Sequence, residues 1–108
     1  MGGELHLSLI EDGADEWRLD QLTRHLRDEL LLQLDVAAST PLSGPPALVV
    51  PLGDGYRLLP GVVALSLDWL RRSLTPLRTL RLEVDGDVLD LPGHPGAAER
   101  FILRHTER

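Results

Sequence analysis

Leu5, Leu7 and Leu9 alternate with His6, Ser8 and Ile10. That period of two predicts a first strand with one buried face, ended by Glu11-Asp12-Gly13. Asp12 is placed to cap a helix whose first turn is enriched by Asp15 and Glu16. Leu19, Leu22, Leu26 and Leu30 then form one helical stripe, with Asp20, Arg24, Arg27 and Asp28 opposite it. The pattern predicts that this helix ends near Leu31. Leu32, Leu34 and Val36 alternate with Gln33, Asp35 and Ala37, which predicts a second strand. A right-handed crossover would set that strand parallel to the first.

Three prolines and a glycine mark a loop over 39–46. The apolar run Ala47-Leu48-Val49-Val50 fits either a strand or the first turn of a helix, and Gly53-Asp54-Gly55 fits a turn. Pro60 suits the first turn of a helix that runs to Leu74 and is closed by Pro76. Val63, Leu67, Leu70 and Leu74 make one stripe on it, and Val62, Leu65 and Trp69 a second. A helix apolar on two faces must be covered on both, by the domain core or by a partner. Leu80, Leu82 and Val84 alternate with Arg81, Glu83 and Asp85, and Asp85-Gly86 is a strong two-residue hairpin turn. That turn sets Val84 opposite Asp87, Leu82 opposite Leu89 and Leu80 opposite Leu91. A short helix over Ala97 to His105 closes the pattern, with residues 106–108 expected to fray. The fold class is α+β: a two-layer sandwich with a four-stranded mixed sheet and about three helices, in the order β-α-β-α-β-β-α, in one domain over 1–108.

The chain of 108 residues supports that single domain. Its 25 leucines and few aromatics imply an aliphatic core. All eleven basic residues are arginine; lysine, cysteine and asparagine do not occur. No lysine means no Schiff-base chemistry and no phosphate-loop lysine. No cysteine means no thiol nucleophile, disulfide or thiolate metal site. The net charge of −6 argues against nucleic acid as the main partner. The most apolar stretch, Leu58 to Leu70, is shorter than the roughly 20 residues of a membrane span. Met1-Gly2-Gly3-Glu4 lacks the basic start of a signal peptide, so the expected location is cytoplasmic. Lysine-free, leucine-rich usage also suggests a GC-rich genome of actinobacterial type.

Catalytic constellations are hard to assemble from these residues. His6, His25, His94 and His105 fall on four different elements without metal-ligand spacing. No serine sits in a G-x-S-x-G elbow. The acidic pairs Asp12 with Asp15 and Asp85 with Asp87 are explained by a helix start and a turn. The expectation is a protein without catalytic, cofactor-binding or metal-ligating residues.

The order of segments does resemble a known family. "ELHLSL" precedes an acidic turn and the amphipathic "DEWRLDQLTRHLRDEL"; an apolar helix ends in "LDWLRRS"; "LRLEVDGDVLDL" gives the hairpin. In this order, over almost the whole chain, the sequence resembles the effector-associated constant component family of actinobacterial conflict (defence) systems. The Gly/Ala-rich helix usual in that family is replaced here by "RLLPGVVALSLDWLRRS". The resemblance implies a non-enzymatic accessory or adaptor component, regulating or coupling to a caspase-like or trypsin-like peptidase effector by protein contacts. It brings no catalytic residues with it.

Three functional readings follow. In the first, an adaptor contacts a peptidase effector, or a second copy of itself, through Val63, Leu67, Trp69, Leu70 and Leu74 and the adjoining Leu48–Leu59 segment. Polar replacement of Trp69 and Leu70 should then abolish association and leave the protein folded. In the second, a small-molecule or nucleotide-sensing module uses Gly53-Asp54-Gly55 with Arg71, Arg72, Arg78 and Arg81 as anion contacts. The third and weakest is a hydrolase built on His94 or His25 with a nearby carboxylate.

Overall fold

The computed structural model describes residues 2–41, 46–72, 78–94 and 96–106. Its elements are β1 (Gly2–Glu11), α1 (Glu16–Leu34), β2 (Ala47–Asp54), α2 (Leu59–Arg72), β3 (Arg78–Val84), β4 (Asp87–Leu91) and α3 (Ala97–Thr106). The α+β class and the order β-α-β-α-β-β-α are those the sequence predicts. The sheet is not mixed, however. Its order is β2-β1-β3-β4, and each neighbouring pair is antiparallel.

The difference has a local cause. Residues 32–36 do not form a strand. Nothing between Leu30 and Asp35 breaks the helix, and each added residue contributes a bond once a helix is nucleated. α1 therefore runs on to Leu34. It stops at Asp35, which adopts left-handed geometry (φ 54°) and donates its backbone N–H to Leu30 O and Leu31 O. At the other end Asp15, not Asp12, is the cap, accepting from the Arg18 N–H at 2.8 Å. The second strand is the 47–54 run. It pairs antiparallel with β1, so the α1 connection is no right-handed parallel crossover.

The leucine alternation selects one face of the sheet. Leu48, Leu7, Leu82 and Leu89 line up across all four strands, and Leu9, Leu80 and Leu91 form the next row. All of them are buried. The three helices cover this face, α1 over β1 and β2, α2 over β3 and α3 over β4. The opposite face carries His6, Ile10, Pro51, Arg81, Glu83, Val88 and Asp90, which are exposed. The hairpin has the expected register, with Asp85 (φ 51°) and Gly86 (φ 83°) both left-handed, as a two-residue turn of this kind needs.

Of the loop expected over 39–46, residues 42–45 lie outside the described residues. Ser39 forms a two-way backbone bridge to Val49, at 3.0 and 2.8 Å, along the outer edge of β2. Thr106 still belongs to α3, its hydroxyl donating to Ile102 O at 2.7 Å. Fraying therefore does not begin there, and 107–108 lie outside the described residues. Among the described residues no helix is long and apolar enough to cross a membrane.

Candidate functional site

α2 lies between α1 and α3 and against β3, so both of its apolar stripes are covered within the domain. Val63 and Trp69 are buried, and Leu67 and Leu70 are half-buried against the same core. Val63 and Trp69 are core residues, Leu67 and Leu70 lie at its edge with part of each side chain in solvent, and Leu74 lies outside the described residues. The adjoining segment is core as well, with Leu48, Val50, Leu52 and Leu59 fully buried. Two-sided burial in one small domain is possible because three helices share a single sheet face.

Large apolar side chains do reach solvent, but mostly elsewhere. On α1, Trp17 is 72 % exposed, Leu31 52 % and Leu32 83 %. Fourteen residues make just under four helical turns, so Trp17 and Leu31 share one side of α1 about 21 Å apart. Gln21, Arg24 and Asp28 lie between them on that side.

A polar cluster sits where the end of β1 meets the start of β3, beside α1 and α2. Glu11 and Arg78 are register partners on adjacent strands. They lie on the inner, leucine face, where their side chains are only 4 % and 8 % exposed. Nε and Nη2 of Arg78 both donate to Glu11 Oε1, at 3.0 and 2.8 Å. Arg18 of α1 also donates to this carboxylate. The Arg18 bond first, and Arg78 behind it, hold the Glu11 carboxyl below its usual range against the burial that would raise it. The Arg78 guanidinium lies over the Trp69 ring, 5.2 Å from its centroid. The indole Nε1–H of Trp69 donates to Nδ1 of His25 at 3.2 Å. Arg72 reaches Glu29 Oε1 with Nη1 at 3.4 Å and sets Nε 3.1 Å from Asp68. A bond from Gln33 first, helped by Arg72, keeps Glu29 ionised to lower pH than usual despite partial burial. Between these side chains is an open depression of about 230 Å³, lined by Leu22, His25, Trp69, Arg72 and Arg78.

The four anion-contact candidates therefore separate. Arg72 and Arg78 converge on the depression. Arg81 is held by Asp90 through a two-bond fork at 2.8 and 3.1 Å on the open sheet face, and Arg71 is exposed on α2 outside the depression. Gly53-Asp54-Gly55 ends β2 in a turn closed by the Tyr56 N–H on Gly53 O at 3.1 Å, and does not line it either.

For the hydrolase reading, His25 has Nδ1 occupied by Trp69, and its Nε2 stands 3.9 Å from Glu29, beyond hydrogen-bond reach. His94 lies in the turn before α3, its carbonyl accepting from Ala97 N at 3.0 Å. His105 does meet a carboxylate, with Nε2 2.9 Å from Asp87 Oδ2. Arg104 donates to the same oxygen at 2.9 Å, and the His105 ring stands edge-on to Phe101 at 4.9 Å. That trio clamps α3 to the hairpin. Burial opposes ionisation of Asp87, but the His105 and Arg104 bonds outweigh it and lower its pKa. Among the described residues no group of three His, Asp or Glu side chains could hold a metal ion.

Sequence reasoning missed the Glu11–Arg78 pair, although a signal existed. Extending the Leu5-Leu7-Leu9 alternation by one step puts Glu11 on the inner face. Running Val84-Leu82-Leu80 backwards puts Arg78 there as well. An acid and a base on the inner face of adjacent strands imply a buried ion pair, since neither is buried alone without a large penalty. No family model, no curated protein and no solved structure matches this chain.

Proposed function

We propose that this protein is a non-enzymatic adaptor of a bacterial conflict system, acting in the cytoplasm. It would couple to or regulate a caspase-like or trypsin-like peptidase effector through protein–protein contacts. The resemblance in segment order suggests that role. The observation that carries it is the outer side of α1, where Trp17, Leu31 and Leu32 stand in solvent on one helix. Single exposed leucines are ordinary on a protein surface, whereas Leu31 and Leu32 expose adjacent apolar side chains at one end of α1, with Trp17 exposed at the other. Val63 and Trp69 of α2 are buried, so the proposed surface lies on α1.

Light scattering of the purified chain, alone and with a caspase-like or trypsin-like peptidase from the same genome, tests the reading. The wild type is expected to form a complex of defined mass. The Leu31→Ser/Leu32→Ser variant, changed only at exposed positions, is expected to keep its circular dichroism and lose the complex. Equal binding by that variant would move the surface off α1, and no complex with any such peptidase would remove the adaptor reading.

A further inference from the structure

The depression between α1, α2 and β3 is lined by two arginines, a histidine, an indole and a leucine, with no carboxylate, on a chain of net charge −6. Its arginines are held in place before any ligand arrives. Arg78 is forked onto Glu11 through Nε and Nη2, which fixes its guanidinium plane, and among the described residues Nη1 has no acceptor. Glu11 is shared by two guanidinium groups, Arg18 and Arg78, and Asp15 also stands near Arg18, so the carboxylate does not belong to Arg78 alone. Arg72 stands at the rim, between Asp68 and Glu29, with Nη2 left over. His25 accepts the Trp69 Nε1–H hydrogen bond at Nδ1, which leaves Nε2 as the ring's donor.

We propose that this depression binds an oxyanion, a carboxylate or phosphate group, held between Arg78 and Arg72. Planar guanidinium forks match the paired oxygens of both groups. At about 230 Å³ the space is smaller than the roughly 300–1,000 Å³ of pockets for drug-sized ligands. It takes a small anion or the acidic tip of a longer molecule, not a whole nucleotide. Asp68 and Glu29 compete for Arg72, so Arg78 supplies most of the attraction and Arg72 adds to it at the rim. Such a site narrows the ligand-sensing alternative to a small oxyanion and needs no peptidase partner.

Trp69 is the reporter, because the Arg78 guanidinium lies against its ring. Trp17→Phe leaves Trp69 as the sole indole of the chain. In that background, inorganic phosphate and acetate are titrated separately against chloride at constant ionic strength while Trp69 emission is followed. A saturable change with phosphate or with acetate, absent with chloride, is expected, and the responding anion identifies the headgroup. Arg72→Gln and Arg72→Glu, both at an exposed position, should weaken it about tenfold or more, the loss of one charged hydrogen-bond partner. Arg72→Lys should keep most of the response. Arg71→Gln, next along α2 but outside the depression, should leave it unchanged. No saturation with either anion overturns the proposal. So does a folded Arg72→Gln variant that titrates like its parent, or an Arg71→Gln variant that loses as much as Arg72→Gln.

Discussion

Glu11 holds two guanidinium groups at the inner edge of the sheet, and one of them, on Arg78, is as buried as the carboxylate itself. Removing one partner of a buried pair leaves the other charge desolvated and alone, at a cost of about 3–5 kcal/mol. Glu11→Gln should lose about that much in urea unfolding at neutral pH. The sign of the pH effect follows from the lowered pKa of Glu11. Its stabilisation is fully present above the ordinary carboxylate pKa of about 4.3 and is lost as pH falls through the lower folded value. The wild type should therefore weaken below about pH 4, and the stability of Glu11→Gln should change less over the same range. The two tryptophans make a second contrast. Trp69 is buried and hydrogen-bonded, so Trp69→Ala should cost about 3–5 kcal/mol. Trp17 stands in solvent, and Trp17→Ala should stay within about 0.5 kcal/mol. A folded, stable Trp69→Ala protein would return Trp69 to the list of surface anchors.

At the scale of elements, the C-terminus of α1 is the instructive case. A left-handed residue ends the helix there, and such positions usually carry glycine. Here Asp35 fills it, which removed the stop signal and let Leu32, Leu34 and Val36 pass for a strand. Asp35→Gly should relieve the left-handed cost and raise stability by about 0.5–1 kcal/mol, seen as a higher melting temperature. An unchanged or lower value would mean that the Asp35 side chain contributes more than the backbone loses. The hairpin was legible because its turn chemistry, alternation and register all agree on Asp85-Gly86. β2 was ambiguous because Pro51 interrupts it; as an edge strand it tolerates a residue with no N–H to give. The α2 pattern was read correctly as two-sided, yet a single sequence cannot say whether core or partner covers the second side. Packing of α1 and α3 covers Val62, Val63 and Trp69, and the three most exposed large apolar residues among those described lie on α1. Of the candidate site, Arg72 and Arg78 were legible as bases, but their convergence depends on Glu11 lying 67 residues before Arg78 in sequence.

Among the described residues one sheet face lies under three helices and the other face is open, on a chain with an excess of acid. Its proposed adaptor surface and its proposed anion site both involve α1, but they use different residues. A peptidase seated on Trp17, Leu31 and Leu32 would leave Arg72 and Arg78 to answer to another ligand. β2 makes no sheet contact with the β3–β4 hairpin; β1 alone joins them. A chain divided within 42–45 would thus yield one piece holding the middle strand and another holding both of its neighbours with nothing between them. Mixed together, the two pieces should reconstitute the fold, since the middle strand supplies hydrogen bonds on both sides and a row of leucines. The larger piece alone should show little sheet signal in circular dichroism, and adding the smaller one should restore it with a stoichiometry of one to one. Such a pair would be a split reporter whose signal depends on insertion of a single strand.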